Sequence, residues 1–136
     1  MSLRSLRVPN PSAFHEIIQS NIAQLNEGKR LFVLFFGTED PQTGESWCPD
    51  CVIAEPAIRS SLSKSTKAQG KDTLLIECPV GPRSEWKNNP THPYRVDSAT
   101  KVTGVPTLIR WTQNGAGDRL VEEECADAAR LATFFS

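Results

Sequence analysis

The sequence predicts one α/β domain spanning residues 1–136, with its elements in the order β-α-β-α-β-(loop or short helix)-β-β-α. Three observations carry that prediction. Leu31-Phe32-Val33-Leu34-Phe35-Phe36 is an unbroken apolar run of strand length, the pattern of a strand covered on both faces as in a parallel sheet. The segments before and after it place apolar residues at helical spacing. Late in the chain, Asn114-Gly115-Ala116-Gly117-Asp118 separates two apolar runs and is rich in residues that tolerate positive φ, which marks a hairpin turn. A chain of 136 residues is the size of a single domain with a self-sufficient core.

Taken in order, Leu3, Leu6 and Val8 ahead of Pro9-Asn10-Pro11 read as a short edge strand, because prolines cannot donate to a ladder. Ser12 is the expected N-cap of an amphipathic helix whose apolar face is Phe14, Ile17, Ile18, Ile22 and Leu25 and whose end is Gly28. After the buried strand, residues 37–46 form a polar loop longer than the usual two to six residues between a strand and a helix. Val52, Ile53, Ala57, Ile58 and Leu62 continue from Cys51 as a helical stripe with Pro56 inside it, and the Ser- and Lys-rich stretch 60–71 is expected to end that helix. Thr73 to Cys78 is a further buried strand closed by Pro79, Gly81 and Pro82. Residues 85–101 are loop with one or two helical turns, residues 105–111 a strand with proline at its start, and residues 120–122 the returning strand. Glu122-Glu123-Glu124 is a solvated turn, and Ala126 to Phe135 is the closing helix.

Composition excludes several functions. Fifteen basic and sixteen acidic side chains leave a formal charge of −1 with no block of one sign, which argues against nucleic acid or an anionic membrane as partner. The longest apolar run falls far short of the roughly 20 residues of a membrane span. Residues 1–7 carry positive charge without an apolar region behind them, so no secretory signal is expected. Four cysteines, two of them in one Cys-X-X-Cys, are not a disulfide framework for a chain this long and suit a reducing, cytoplasmic compartment.

The chemistry gathers in Trp47-Cys48-Pro49-Asp50-Cys51. Two thiols separated by two residues at a helix start can close a small disulfide ring. Cys48 at the N-cap would meet unpaired backbone N–H groups and the positive end of the helix dipole, both of which favour a thiolate. Cys-X-X-Cys motifs pull the first thiol from about 8.5 towards roughly 3.5–7.5, so Cys48 is the expected nucleophile and Cys51 the resolving thiol. Pro49 suits the first helical position. Asp50 stabilises the helix start, but its charge opposes the Cys48 thiolate.

Buried strand, Trp-Cys-X-X-Cys, proline five residues beyond the second cysteine, and Gly104-Val105-Pro106-Thr107 before a hairpin together resemble thioredoxins. The form Cys48-Pro49-Asp50-Cys51-Val52-Ile53-Ala54-Glu55-Pro56, with Trp86-Lys87, Lys101-Val102-Thr103 and Leu120-Val121-Glu122, is similar to the thioredoxin domain-containing protein 17 family across nearly the whole chain. The resemblance implies a thioredoxin fold, a central mixed β-sheet flanked by helices. It also implies a monomeric disulfide reductase that binds no cofactor and draws electrons from NADPH through thioredoxin reductase as partner. Small disulfides such as cystine and selected protein disulfides would be its substrates, with a weak peroxidase activity beside. Pro106 would be cis, exposing the Val105 backbone to pair with an extended substrate, and Trp47 would shield the thiols and offer an apolar wall.

Thioredoxins usually carry a buried aspartate where this chain has Leu34, so proton exchange with Cys51 must use another group: Glu39, Asp40, Asp50 or water. A zinc site is disfavoured, since Cys78 and Cys125 are isolated and His15 and His92 lie far apart. Cys78 and Cys125 are expected to be structural, His15 a solvated helix residue, and Trp86 and Trp111 packing anchors. Besides the reductase, an oxidase or isomerase of an oxidising compartment and a non-catalytic docking or signalling module on the same fold are compatible with the motif.

Overall fold

The computed structural model describes residues 2–136. Five strands form one mixed sheet in the order β1-β3-β2-β4-β5, with β1 spanning Leu3–Arg7, β2 Arg30–Phe36, β3 Thr73–Pro79, β4 Thr107–Thr112 and β5 Gly115–Val121. β1 and β2 both run parallel to β3, while β4 is antiparallel to β2 and β5. Every residue of β2 is buried, as its continuous apolar run requires of the central strand. β1 is an edge strand, mostly exposed, and Val8 N–H reaches the Glu77 carbonyl just before the prolines stop it.

The first helix departs from its predicted outline. Ser12 lies inside a 3₁₀ turn, Pro11–Ala13, with its hydroxyl on Asn10 Oδ1 at 2.5 Å, so it does not cap. α1, Phe14–Asn21, then tightens into a 3₁₀ segment, Ile22–Glu27, and Gly28 ends it at φ +76 in the left-handed region that favours glycine. Phe14 packs at ring-centroid distances of 5.6–5.9 Å from Phe35, Tyr94 and Trp111, which confirms Trp111 as a packing anchor. His15 is not merely solvated, because its Nε2 lies 2.5 Å from Asp97 Oδ2.

α2, Pro49–Gln69, runs well past the point where its composition suggested an end. Cys51, Ala54, Ile58, Leu62 and Thr66 form one buried stripe, and that stripe carries the helix through its Ser and Lys residues to Gly70, at φ +63. Arg30 is buried at the start of β2. It donates to Phe135 O at 2.8 Å, Ser65 Oγ at 2.9 Å, and Thr66 Oγ1 and Thr73 Oγ1 at 3.2 Å, so one side chain joins β2, β3, α2 and the final turn. Burial holds its guanidinium below its ordinary pKa.

Two short helices, α3 (Arg83–Trp86) and α4 (Pro93–Val96), are the helical turns expected in the loop of residues 85–101, the first beginning two residues before it. β4 begins at Thr107, two residues later than predicted, because the Val105–Pro106 peptide is cis and Pro106 has no N–H for the ladder. β5 begins at Gly115, far earlier than the predicted 120–122. Gly115 and Gly117 look like turn residues yet belong to the strand, and a Cβ on Gly117 would stand 3.0 Å from the Arg110 carbonyl. Glu122-Glu123-Glu124 opens a 3₁₀ turn, Glu122–Ala126. Asp127 caps α5, Ala128–Phe134, through Arg130 N–H, so the closing helix starts two residues later than expected.

Candidate active site

The thiols sit where the carboxyl end of β2, the amino end of α2 and the chain entering β4 converge. The 37–46 loop delivers them and folds back on itself through Asp40 N–H to Glu45 O at 2.8 Å and Gly44 N–H to Asp40 O at 2.7 Å. Cys48 is the N-cap of α2, with φ −91 and ψ 110, and Pro49 takes the first helical position. The Cys48 sulfur accepts the Cys51 N–H at 3.3 Å and, as a thiol, donates to Val105 O at 3.6 Å. Both are free thiols, Cys48 5% and Cys51 3% exposed.

The Cys48 thiol ionises at about 7. The hydrogen bond from the Cys51 thiol does most to lower it; burial opposes, the Cys51 amide helps, and the Asp50 carboxylate pushes it back up. Cys51 is held well above an ordinary thiol, first because it donates to Cys48 and then because it is buried. The Gly37 amide and the Ser46 hydroxyl act in the other direction on its sulfur. The pair is therefore divided into a sulfur poised near neutrality and a proton-holding partner.

Trp47 forms a wall beside the pair. Its Nε1–H donates to Gly81 O at 2.9 Å, and its ring lies so close to Gly37 that a Cβ there would stand 2.6 Å from Cε2. Val105, 8% exposed, faces Cys48 across the cis peptide. The groove encloses about 510 Å³ between Trp47, Cys48 and Asp50 on one side and Trp86, Gly104 and Val105 on the other. Trp86 is both packed and part of the site: it is 3% exposed and lines the groove, with the Arg95 guanidinium 3.6 Å from its ring centroid. Arg95 also donates to Thr103 O at 2.8 Å and Trp86 O at 3.2 Å, tying α3 to the chain leading into the cis peptide.

Two of the proton carriers named from sequence are engaged elsewhere. Glu39 makes two hydrogen bonds to Arg7, at 2.7 and 3.1 Å, which hold its carboxyl below the usual range. Asp40 accepts Gln42 N–H at 2.8 Å inside its own loop. Leu34 is 2% exposed and stands opposite Glu77 in the β2–β3 register, and Glu77 is itself paired with Arg59 of α2 and with Arg7. Asp50 lines the groove, and the hydroxyl against Cys51 belongs to Ser46, which also donates to Gly37 O at 2.6 Å and accepts Cys48 N–H at 3.1 Å. A serine next to a tryptophan in a polar loop carries no signal that would single it out.

Cys78 and Cys125 are fully buried, and burial raises both thiols, Cys125 to about 12. Cys125 donates to Leu120 O at 3.4 Å and Pro106 O at 3.7 Å. Among the described residues no group of three or more His, Cys, Asp or Glu side chains is placed to hold a metal ion, and no helix is long and apolar enough to cross a membrane.

Residues 11–136 match the thioredoxin domain of the family described as thioredoxin domain-containing protein 17-like. The chain belongs to that family. It is 40% identical to the thioredoxin-like protein Clot of Arabidopsis thaliana over 116 residues, covering 85% of this chain and 83% of that one. Thioredoxin domain-containing protein 17 of Homo sapiens is 37% identical over 123 residues, 90% of this chain and 87% of the relative. Among solved structures, thioredoxin from Nicotiana alata superposes with a TM-score of 0.55 at 21% identity, over 98% of this chain and 91% of that one. The fold of this thioredoxin domain-containing protein 17-like chain is thus the thioredoxin fold.

Proposed function

We propose that this protein is a thiol-disulfide oxidoreductase that works as a dithiol reductase through Cys48 and Cys51. The observation that carries the reading is the N-cap position of Cys48, its sulfur receiving the Cys51 amide and ionising at about 7 beside the Val105 backbone. About half of such thiols are ionised at neutral pH, and a thiolate matched to ambient pH is the best attacking group for disulfide exchange.

The steps follow from that asymmetry. Cys48 thiolate attacks one sulfur of the substrate disulfide; that S–S bond breaks and the distal half leaves as a thiolate that takes up a proton. The substrate half retained on Cys48 lies along Val105, whose main chain pairs with it as an added strand. Cys51 then gives up its proton and attacks the Cys48 sulfur, closing the Cys48–Cys51 disulfide and releasing the second half as thiolate. The hydrogen bond to the Cys48 sulfur, and after it burial, keep Cys51 protonated until the Cys48 charge has been spent in the mixed disulfide. Two electrons from NADPH, delivered by thioredoxin reductase, restore the dithiol. The substrates proposed are small disulfides such as cystine, with thioredoxin reductase as the partner, as the sequence resemblance implies. The same half-ionised sulfur supports a slow reaction with peroxide.

The test is NADPH consumption with thioredoxin reductase and cystine, comparing the native chain with Cys48→Ser. The expected result is turnover that disappears in the variant. No turnover by a native chain whose dithiol is intact would exclude this reductant or substrate, and full partner binding by Cys48→Ser would then favour a docking role for the same face.

A further inference from the structure

The groove beside Cys48 is charged in an uneven way that disulfide exchange alone does not require. Arg83, Lys87 and Arg95 line it from the 83–95 region, and Asp50 and Glu122 line it from the starts of α2 and of the turn after β5. Arg95 is spent on two carbonyls and the Trp86 ring. Arg83 and Lys87 are exposed, and among the described residues neither makes an ion pair or a side-chain hydrogen bond. Glu122 sits apart from them behind Gly104, where a Cβ would stand 2.7 Å from its Oε1. Its backbone holds φ +56, a strained value for a residue other than glycine, and its N–H donates to Pro106 O at 2.6 Å. The acid is therefore held against the cis peptide segment by its own backbone, and among the described residues it makes no ion pair with either free cation.

The charge balance changes as exchange proceeds. As Cys48 attacks, its negative charge passes to the departing sulfur, and in that transition state the lining side chains carry one net positive charge. A retained substrate half with a carboxylate is then attracted to Arg83 and Lys87 and repelled from Glu122. Resting on the reductase reading above, we propose that the groove selects disulfides bearing a carboxylate on the half that becomes bonded to Cys48. Arg83 and Lys87 read the carboxylate, and Glu122 keeps it off the Val105 wall.

The experiment uses the pre-reduced chain in single-turnover reactions with dithiodiglycolate, which carries carboxylates, and with hydroxyethyl disulfide, which is uncharged. The quantity read is the ratio of their second-order rate constants. Arg83→Gln/Lys87→Gln should lower that ratio roughly threefold to tenfold, the worth of two partly exposed ion pairs. Glu122→Gln should raise it, and added salt should lower it in the native chain. A ratio unmoved by the double variant, or moved the same way by Glu122→Gln, overturns the assignment, since a general disturbance of the groove would not produce opposite signs. Reaction with hydroxyethyl disulfide without any preference for dithiodiglycolate overturns the selectivity alone. Reaction with neither overturns the reductase reading and the selectivity with it.

Discussion

Replacing Asp50 with Asn removes a carboxylate from the first turn of α2 while leaving the backbone amides that face Cys48 in place. Asp50 raises the Cys48 thiol against the hydrogen bonds that lower it, and the balance stands at about 7. Two like charges about 4–12 Å apart in a water-like dielectric repel by about 0.3–1 kcal/mol. At about 1.4 kcal/mol per pKa unit, loss of that repulsion moves the midpoint down by roughly 0.2–0.7 units. For a shift of about half a unit, the ionised fraction near pH 6.5 rises from about a quarter to about a half. The more acidic thiolate is also a weaker nucleophile, and a Brønsted slope of about 0.4–0.5 lowers the fully ionised rate by about 40%. The two effects oppose each other, so the pH profiles of native and variant must cross near neutrality. The variant is slightly faster in acid and slower in base. Alkylation of Cys48 by iodoacetamide across that pH range, with the thiolate absorbance followed in parallel, reads both quantities. A midpoint that stays put or rises in Asp50→Asn would refute the electrostatic argument, and parallel profiles that never cross would refute the nucleophilicity argument.

Two further outcomes test the surroundings of the pair. Ser46→Ala removes the hydroxyl that donates to Gly37 O, accepts Cys48 N–H and lowers the Cys51 thiol, and should slow the resolving step about twofold to tenfold, the worth of one ordinary hydrogen bond. The mixed disulfide on Cys48 should accumulate in mass spectra and disappear again in Ser46→Thr; an unchanged lifetime would return the task to solvent. Gly37→Ala places a Cβ 2.6 Å from Trp47 Cε2 and 2.8 Å from Nε1, and a rigid indole cannot yield locally. Urea unfolding should show a loss of about 1–3 kcal/mol from this overpacking, whereas an unshifted midpoint would mean that Trp47 swings away freely.

The parts of this protein that local chemistry controls were the legible ones. β2 could be read from Leu31 to Phe36 because a strand covered on both faces has no polar positions. The cap at Cys48 followed from Pro49 at the first helical position, and the cis peptide before Pro106 came through family resemblance. What could not be read depends on contacts distant in sequence. α2 continues to Gln69 because Leu62 and Thr66 are buried, which its Ser and Lys content conceals. Gly115 and Gly117 belong to β5 because that stretch pairs with β4, Gly115 opposite Thr112 and Ala116 opposite Trp111, although as residue types they indicate a turn. The basic wall of the groove comes from a segment without regular pattern, and only tertiary packing sets it across from Cys48. Glu39 and Asp40 are adjacent to the site in sequence but are drawn off by Arg7 and by the loop's own backbone.

The burial of Cys78 and Cys125 has a consequence for redox capacity. Both are withdrawn from solvent, and both are raised out of the range where a thiolate forms at neutral pH. The chain therefore has four thiols but, on the proposed chemistry, stores a single pair of electrons in two of them, Cys48 and Cys51. An oxidant in excess has one disulfide to make and no neighbouring thiols through which to reshuffle it, so each cycle returns the protein to the same two states. Under the proposed dithiol chemistry the fold is thus a two-electron carrier of fixed stoichiometry.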